Sequence, residues 1–371
     1  MAVRLVHKKT STFHDFPYET PRRKCIHCWI VNVTPPGFSH CIHRCVYCYA
    51  RDAVFARESG GALEVYDNLP ELVARDLDRI SLCPPISISN TTDPCQAVPE
   101  LRREVVRLVR LLVARNVSIL IVTKGDASFL LDVAGFAAHP GRVVATTIEG
   151  PPEVLRLLSP RAPAFEERLA AVARLAAAGV HTVVRLDPVF PPVYRALYGE
   201  GWFERMAWLV ERFAASGCGH VICSTGRLSR RRTRGVSVFE RLERLLAGLD
   251  ADAAAALRRL YAFDRSGTSA GYLWRRPERV AFHHRLRVLC EAQGMTYATC
   301  QETSAAETDS PGLPNCEGYP LPFCVKGLGG RFEPVAGCSA VCHIGCAGMA
   351  RPPCGRPELI SPKPLRVGLL R

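Results

Sequence analysis

The chain has 371 residues, of which 48% are hydrophobic and 22% charged, with a formal net charge of +13. That is too apolar for a disordered chain, and the length fits one large domain of the α/β-barrel kind or two smaller ones. No apolar run reaches membrane-spanning length, since the best candidate, Val105 to Val122, is broken by Arg107, Arg110, Arg115 and Asn116.

The first 24 residues are polar and basic and are expected to drape over the body. They lack the apolar core of a signal peptide, so a cytoplasmic protein without a membrane partner is expected. From Trp29 the pattern alternates strand with helix. Residues 29–33 form a short β-rich run leading into a cysteine loop. A helix over 70–79 opens on Pro70, where a missing N–H is harmless. A strand over 86–90 precedes a helix over 101–115, apolar at Leu101, Val105, Leu108, Val109 and Leu112, with Asn116 at its C-terminal cap. Strands follow at 118–123, 142–149, 182–187 and 220–225. Helices are expected at 127–138, at 164–178 with Gly179 as its stop, and at 201–215, with a turn at Pro191-Pro192. Six β-then-α units in series predict a parallel sheet covered by helices. Helical segments at 239–263 and 276–293 and a last strand at 295–300 come next. From Gln301 the chain turns rich in Gly, Pro and Cys, as an appended metal-binding segment would. The expected division is therefore a basic extension with a CxxC pair (1–28), an α/β body (29–235), its helical continuation (236–300) and a cysteine-rich segment (301–371).

The densest chemistry lies in Cys41-Ile-His-Arg-Cys45-Val-Tyr-Cys48-Tyr49. Three cysteines in C-x3-C-x2-C spacing, just after the first strand, can place three thiolates on three irons of a [4Fe–4S] cubane. The fourth iron then lacks a protein ligand and can chelate the amino and carboxylate groups of S-adenosylmethionine (SAM). An electron passed to the sulfonium yields a 5′-deoxyadenosyl radical. The alternative is structural zinc with His40 or His43, but such sites usually use paired C-x2-C units.

Residues two apart on a strand share a face. Ser87, Ser89 and Thr91 do so, as do Val122 and Lys124, Thr147 and Glu149, and Arg185 and Asp187. In an α/β barrel, sites form at the C-terminal strand ends. Charged groups there need partners. A polar ligand such as SAM would supply one; an Arg185–Asp187 ion pair is the alternative.

Taken together, Cys41 to Tyr49, Asn90-Thr-Thr-Asp-Pro94, Val122-Thr-Lys124, Ala145-Thr-Thr-Ile-Glu149, Leu158-Ser-Pro-Arg-Ala-Pro-Ala-Phe-Glu-Glu-Arg-Leu169 and Val184-Arg-Leu-Asp-Pro-Val189 resemble the spore photoproduct lyase and DNA-repair-photolyase-like branch of the radical SAM superfamily. The likeness runs from about Trp29 to Thr225, more loosely to Cys300. It implies a partial (β/α)6 barrel with SAM across the strand tops, and Cys41, Cys45 and Cys48 as cluster ligands. By the same resemblance, Tyr47 and Tyr49 match tyrosines near SAM and the radical path, and Lys124 a lysine near SAM. Ser89, Thr91, Thr147, Glu149, Arg185 and Asp187 are the remaining candidates for the SAM site. Where the lyases carry a hydrogen-donating cysteine after the second strand, this chain has Asn90. Cys95, five residues on, is either a substitute donor or a buried thiol.

The chain has 17 cysteines. Cys25-x2-Cys28 and Cys300, Cys316, Cys324, Cys338, Cys342, Cys346 and Cys354 predict at least one auxiliary [4Fe–4S] cluster, with zinc as runner-up. The last four can serve one site alone; Cys300, Cys316 and Cys324 can join one or both of Cys25 and Cys28 in another. Cys83, Cys218, Cys223 and Cys290 read as core thiols.

A pI of about 9.2 favours polyanionic partners, although arginines on solvated faces would give the same charge. The basic stretch Arg227-Leu-Ser-Arg230-Arg231-Arg232-Thr-Arg234 follows the sixth strand, which places it on the site face. Tyr272, Trp274, Arg275 and Arg276 add aromatics and cations suited to bases and phosphates. Lys326-Gly-Leu-Gly-Gly330 is only superficially phosphate-binding. The expected function is a radical SAM enzyme that repairs or modifies nucleic acid, fed by an electron donor such as ferredoxin or flavodoxin. The alternatives are a radical SAM enzyme acting on a peptide or protein and a non-catalytic metal-dependent nucleic-acid-binding protein.

Overall fold

The computed structural model describes residues 2–14, 23–51, 56–57, 59–230, 235–264, 271–361 and 364–371. Seven strands make one sheet: Trp29–Val31 (β1), Ile86–Ile88 (β2), Ile119–Thr123 (β3), Arg142–Thr147 (β4), His181–Leu186 (β5), His220–Cys223 (β6) and Thr296–Thr299 (β7). Their spatial order is their chain order, and every pairing is parallel. Each parallel step needs a crossover. Those crossovers carry Leu69–Asp78 (α1), Pro99–Arg115 (α2), Pro152–Leu158 (α3), Phe165–Ala177 (α4), Pro191–Tyr198 (α5), Glu204–Ala215 (α6), Val238–Ala247 (α7), Ala251–Leu260 (α8) and Arg276–Ala292 (α9). The sheet ends at β1 and β7, so the barrel is partial.

Both faces of the sheet are covered, and β4 is buried along its whole length. The α2 helix ends on Asn116 in the left-handed conformation at φ 57° and ψ 46°. Prolines start several helices because the first turn needs no N–H from them. This explains one departure: Pro191-Pro192 opens α5 instead of making a turn. A second departure is 127–138, where only the 3-10 stretch Ser128–Asp132 forms. Asp126 accepts from the Ser128 N–H at 2.8 Å, and Gly135 takes φ +80°, so the chain turns rather than winds. A third is 239–263, which breaks at Gly248 and Asp250 into α7 and α8 and then pairs Tyr261–Asp264 with Gly271–Trp274. The N-terminal stretch does more than drape, because Val3–Val6 pairs in parallel with Leu63–Tyr66.

The cysteine-rich segment is not packed separately. Its strand Cys324–Lys326 pairs with Phe332–Pro334 and with Leu82–Cys83 ahead of β2. Leu321, Phe323 and Phe332 are fully buried in the same core as β2, β3 and β4. Lys326 to Gly330 is the turn of this hairpin, with Gly329 and Gly330 at positive φ. It is therefore not a strand–helix phosphate loop. No helix among the described residues is long and apolar enough to cross a membrane.

Candidate active site at the strand tops

The cysteine loop leaves β1, passes through Phe38–His40, and is pinned from several sides. Gln96, fully buried, accepts from the Ile42 N–H at 2.7 Å and donates to the carbonyls of His40 and Asp93 at 3.1 and 2.8 Å. The Val46 N–H donates to the Leu158 carbonyl at 2.9 Å, and Arg241 donates to the carbonyls of Val46 and Cys48 at 3.1 and 3.3 Å. Arg44 takes φ 53° and donates to the Phe38 carbonyl at 3.0 Å. Cys41, Cys45 and Cys48 are free and half-buried, and Cys41 and Cys45 feel the charge of neighbouring loop cysteines. Burial pushes the Cys45 thiol up to about 12, with Lys124 pulling the other way.

Beneath the loop lies an ion network. Glu149, just past β4, takes Arg168 of α4 at 2.6 Å and Lys124, just past β3, at 3.5 Å. The Tyr47 hydroxyl donates to Oε1 of Glu149. Burial opposes ionisation of Glu149, yet Lys124 and Arg168 hold it at about 2. Thr147 contributes its carbonyl, which accepts from Arg168 at 2.9 Å. Arg168 sits in one of the sequence motifs, but nothing in its spacing announced a partner.

Asp93 is the second anchor. It accepts from the Thr123 hydroxyl and the Lys124 N–H, both at 2.6 Å, and from the Cys95 N–H at 2.8 Å, with His43 at 3.2 Å. Despite burial, His43 and these donors keep its carboxyl well below the usual carboxylate range. Next to it, Cys95 is fully buried in the hydrophobic core, as the buried-thiol alternative describes. The Cys95 carbonyl lies where a Cβ on Gly125 would be, at 2.2 Å, so only glycine fits there.

After β2, Ser89 takes φ 56° and its hydroxyl accepts from the Val33 N–H at 3.1 Å. The Asn90 side chain accepts from Ser87 at 2.6 Å, and the Asn90 carbonyl accepts from the exposed Tyr49 at 2.6 Å. Thr91 bonds to Asn32 at 3.0 Å. Ser89 is thus turned onto backbone, whereas Tyr49 and Asn90 lie together at the rim. At the far side, Arg185 and Asp187 pair at 2.7 Å, and Ser224 donates to the second Asp187 oxygen. The ion-pair alternative therefore describes their contact with each other.

The remaining cysteines separate into groups. Cys338, Cys342, Cys346 and Cys354 lie within electrostatic range of one another around the short helix Cys342–Gly345. Cys25, Cys300 and Cys316 make a second set. Cys324 departs from expectation: it pairs across the hairpin sheet with Cys83 and contacts Ser118 at 3.7 Å, away from Cys25. Cys28 is buried in the core and donates to the Ile26 carbonyl at 3.5 Å. Among the described residues no three His, Cys, Asp or Glu side chains are placed to hold one metal ion.

On the basic side, Arg230 lies over Phe239 and Tyr272 at 4.3 and 4.1 Å from the ring centres. Trp274 is buried, so it offers no face to a base, and Arg276 pairs with Glu307. Arg231, Arg232 and Arg234 lie outside the described residues.

Residues 36–194 match the model of the Radical SAM superfamily. Over 351 residues the chain is 22% identical to a radical SAM Nalpha-GlyT isomerase of Pseudomonas phage M6, spanning 90% of this chain and 70% of that protein. Among solved structures, a spore photoproduct lyase variant superposes with a TM-score of 0.57 at 18% identity, over 81% of this chain and 82% of that one. A second lyase variant, with bound AdoMet and dinucleoside spore photoproduct, gives the same TM-score and coverage at 17% identity. Identity that low speaks for a shared fold. Residues 36–194 thus form a radical SAM domain, and that domain implies a [4Fe–4S] cluster and SAM.

Proposed function

We propose that this radical SAM enzyme repairs or modifies nucleic acid, with its cluster on Cys41, Cys45 and Cys48. The observation that carries the reading is the pinned three-cysteine loop set directly above the Glu149–Lys124–Arg168 network. When bound, the cluster and SAM supply a radical able to abstract hydrogen from carbon. The chain's own residues then have definable tasks. Gln96 and Arg241 hold the loop backbone. Glu149 orients the Tyr47 hydroxyl and keeps Lys124 charged at the strand tops. Asp187, with Ser224 and Arg185, presents a carboxylate on the opposite side. Tyr49 and Asn90 line the rim where substrate would enter.

The lyase structures include one complexed with dinucleoside spore photoproduct, and the phage relative is an isomerase. The first supports a nucleic-acid substrate for this chain, and the two together leave open lyase or isomerase chemistry. The basic stretch from Arg227 to Arg234, which follows β6 in sequence, is assigned to phosphates. We further assign Cys338, Cys342, Cys346 and Cys354 to an auxiliary [4Fe–4S] cluster within residues 301–371, and an external ferredoxin- or flavodoxin-type donor to the supply of electrons. The direct test is SAM cleavage by the reconstituted enzyme with and without duplex DNA. Stimulation by DNA is expected; stimulation by a peptide pool and not by DNA or RNA would overturn the substrate class.

A further inference from the structure

We infer that Cys25, Cys300, Cys316 and Glu317 form a second auxiliary iron–sulfur site, at the open seam of the barrel. This deepens the metal assignment above but does not depend on SAM chemistry. Cys25 lies just ahead of edge strand β1, and Cys300 directly follows edge strand β7. Cys316 and Glu317 come from the cysteine-rich segment. The donors are therefore drawn from both edges of the sheet and from the tail that packs against it.

Specific bonds bring them together. The Cys316 N–H donates to the Lys24 carbonyl at 3.4 Å, which aligns the segment beside Cys25. Lys24 and Asp309 form a buried ion pair at 2.5 Å, and Asp309 accepts from the Thr299 N–H at 2.9 Å, tying the chain ahead of β1 to β7. The Cys300 N–H donates to the Cys223 carbonyl at 2.7 Å. Cys25 and Cys316 lie within interaction range of each other, and Arg185 donates to the Cys300 sulfur at 3.3 Å.

Glu317 supplies the independent pointer. It is 5% exposed, and its Oε1 meets Arg185 at 3.4 Å, while its Oε2 is buried with no hydrogen-bond partner. A buried carboxylate oxygen without a donor is costly and rare in a native fold. A metal on that side removes the deficit. Buried thiols often serve only as small apolar side chains. Here, however, they surround an arginine and a carboxylate, which is not an apolar setting. A cluster accepts donors that do not converge on a single point. Carboxylate is a harder ligand than thiolate, so Glu317 would hold a cluster less firmly than the cysteines would.

The test uses the full chain carrying Cys41→Ala, Cys45→Ala and Cys48→Ala, so that the SAM-binding loop cannot contribute. After anaerobic loading with ferrous iron and sulfide, adding Cys300→Ala and Cys316→Ala should lower iron by about four atoms per chain. A separate Glu317→Cys variant in the same background should keep that iron and change the electron paramagnetic resonance signal of the reduced protein. Equal iron content with and without Cys300 and Cys316, zinc in place of iron, or a Cys25–Cys316 disulfide in protein kept from oxygen would each overturn the inference. None of these outcomes bears on whether the Cys41–Cys48 loop works.

Discussion

Glu149 and Arg168 face each other at 2.6 Å with neither side chain exposed to solvent. Breaking such a pair strands a buried charge, at a typical loss of about 3–5 kcal/mol. Glu149→Gln should therefore lower the unfolding free energy by that order, read by urea denaturation under nitrogen. It should also uncouple Tyr47, which loses its carboxylate partner. A change below about 0.5 kcal/mol, the range of ordinary surface substitutions, would mean that the network is not a structural anchor.

Acid should act through the same group. The Glu149 carboxyl is held at about 2 by Lys124 and Arg168 against burial, below its ordinary value of 4.5. Its contribution is thus complete above about pH 4.5 and is lost as pH falls toward 2. Stability measured from pH 6 to pH 3 should fall more steeply in the parent chain than in Glu149→Gln. Parallel curves would contradict the assignment.

Gln96 fastens the cysteine loop through the Ile42 N–H and the carbonyls of His40 and Asp93. Gln96→Ala leaves buried groups unsatisfied, a loss of about 1–3 kcal/mol for each. The loop should load iron less completely while the cysteine-rich segment loads normally. Full occupancy of the loop in Gln96→Ala would show that its geometry is set elsewhere.

Nucleic-acid binding should weaken in Arg230→Ala/Arg231→Ala/Arg232→Ala. The slope of log affinity against log salt on duplex DNA should flatten by about 0.9 for each phosphate the variant no longer neutralises. Unchanged affinity and slope would remove this stretch from the substrate surface.

Much of the architecture was legible because its signals are local. Prolines, Asn116 and Gly179 marked helix ends, and the strand runs gave the parallel sheet. Three helices fared worse. The 127–138 pattern lost to a turn made by Asp126, 239–263 lost to Gly248 and Asp250, and the opening of α5 was hidden by two prolines that also fit a turn. At the site, the residues at strand ends were found because a period of two exposes shared faces. The partners of Arg168, Asp93, His43 and Glu317 were not found. Their meaning comes from partners that the barrel brings together across long stretches of chain, and no spacing rule encodes those pairings. The grouping of Cys25 with Cys300 and Cys316, and of Cys324 with Cys83, became readable only once the two sheet edges and the tail hairpin were in place.

The three-thiolate loop is tested most directly by anaerobic loading with iron and sulfide, followed by dithionite and SAM. The parent chain should release 5′-deoxyadenosine. Cys45→Ala should release none and carry about four fewer irons per chain while keeping the rest of its iron. Undiminished 5′-deoxyadenosine from Cys45→Ala, or none from the fully loaded parent, would contradict the account.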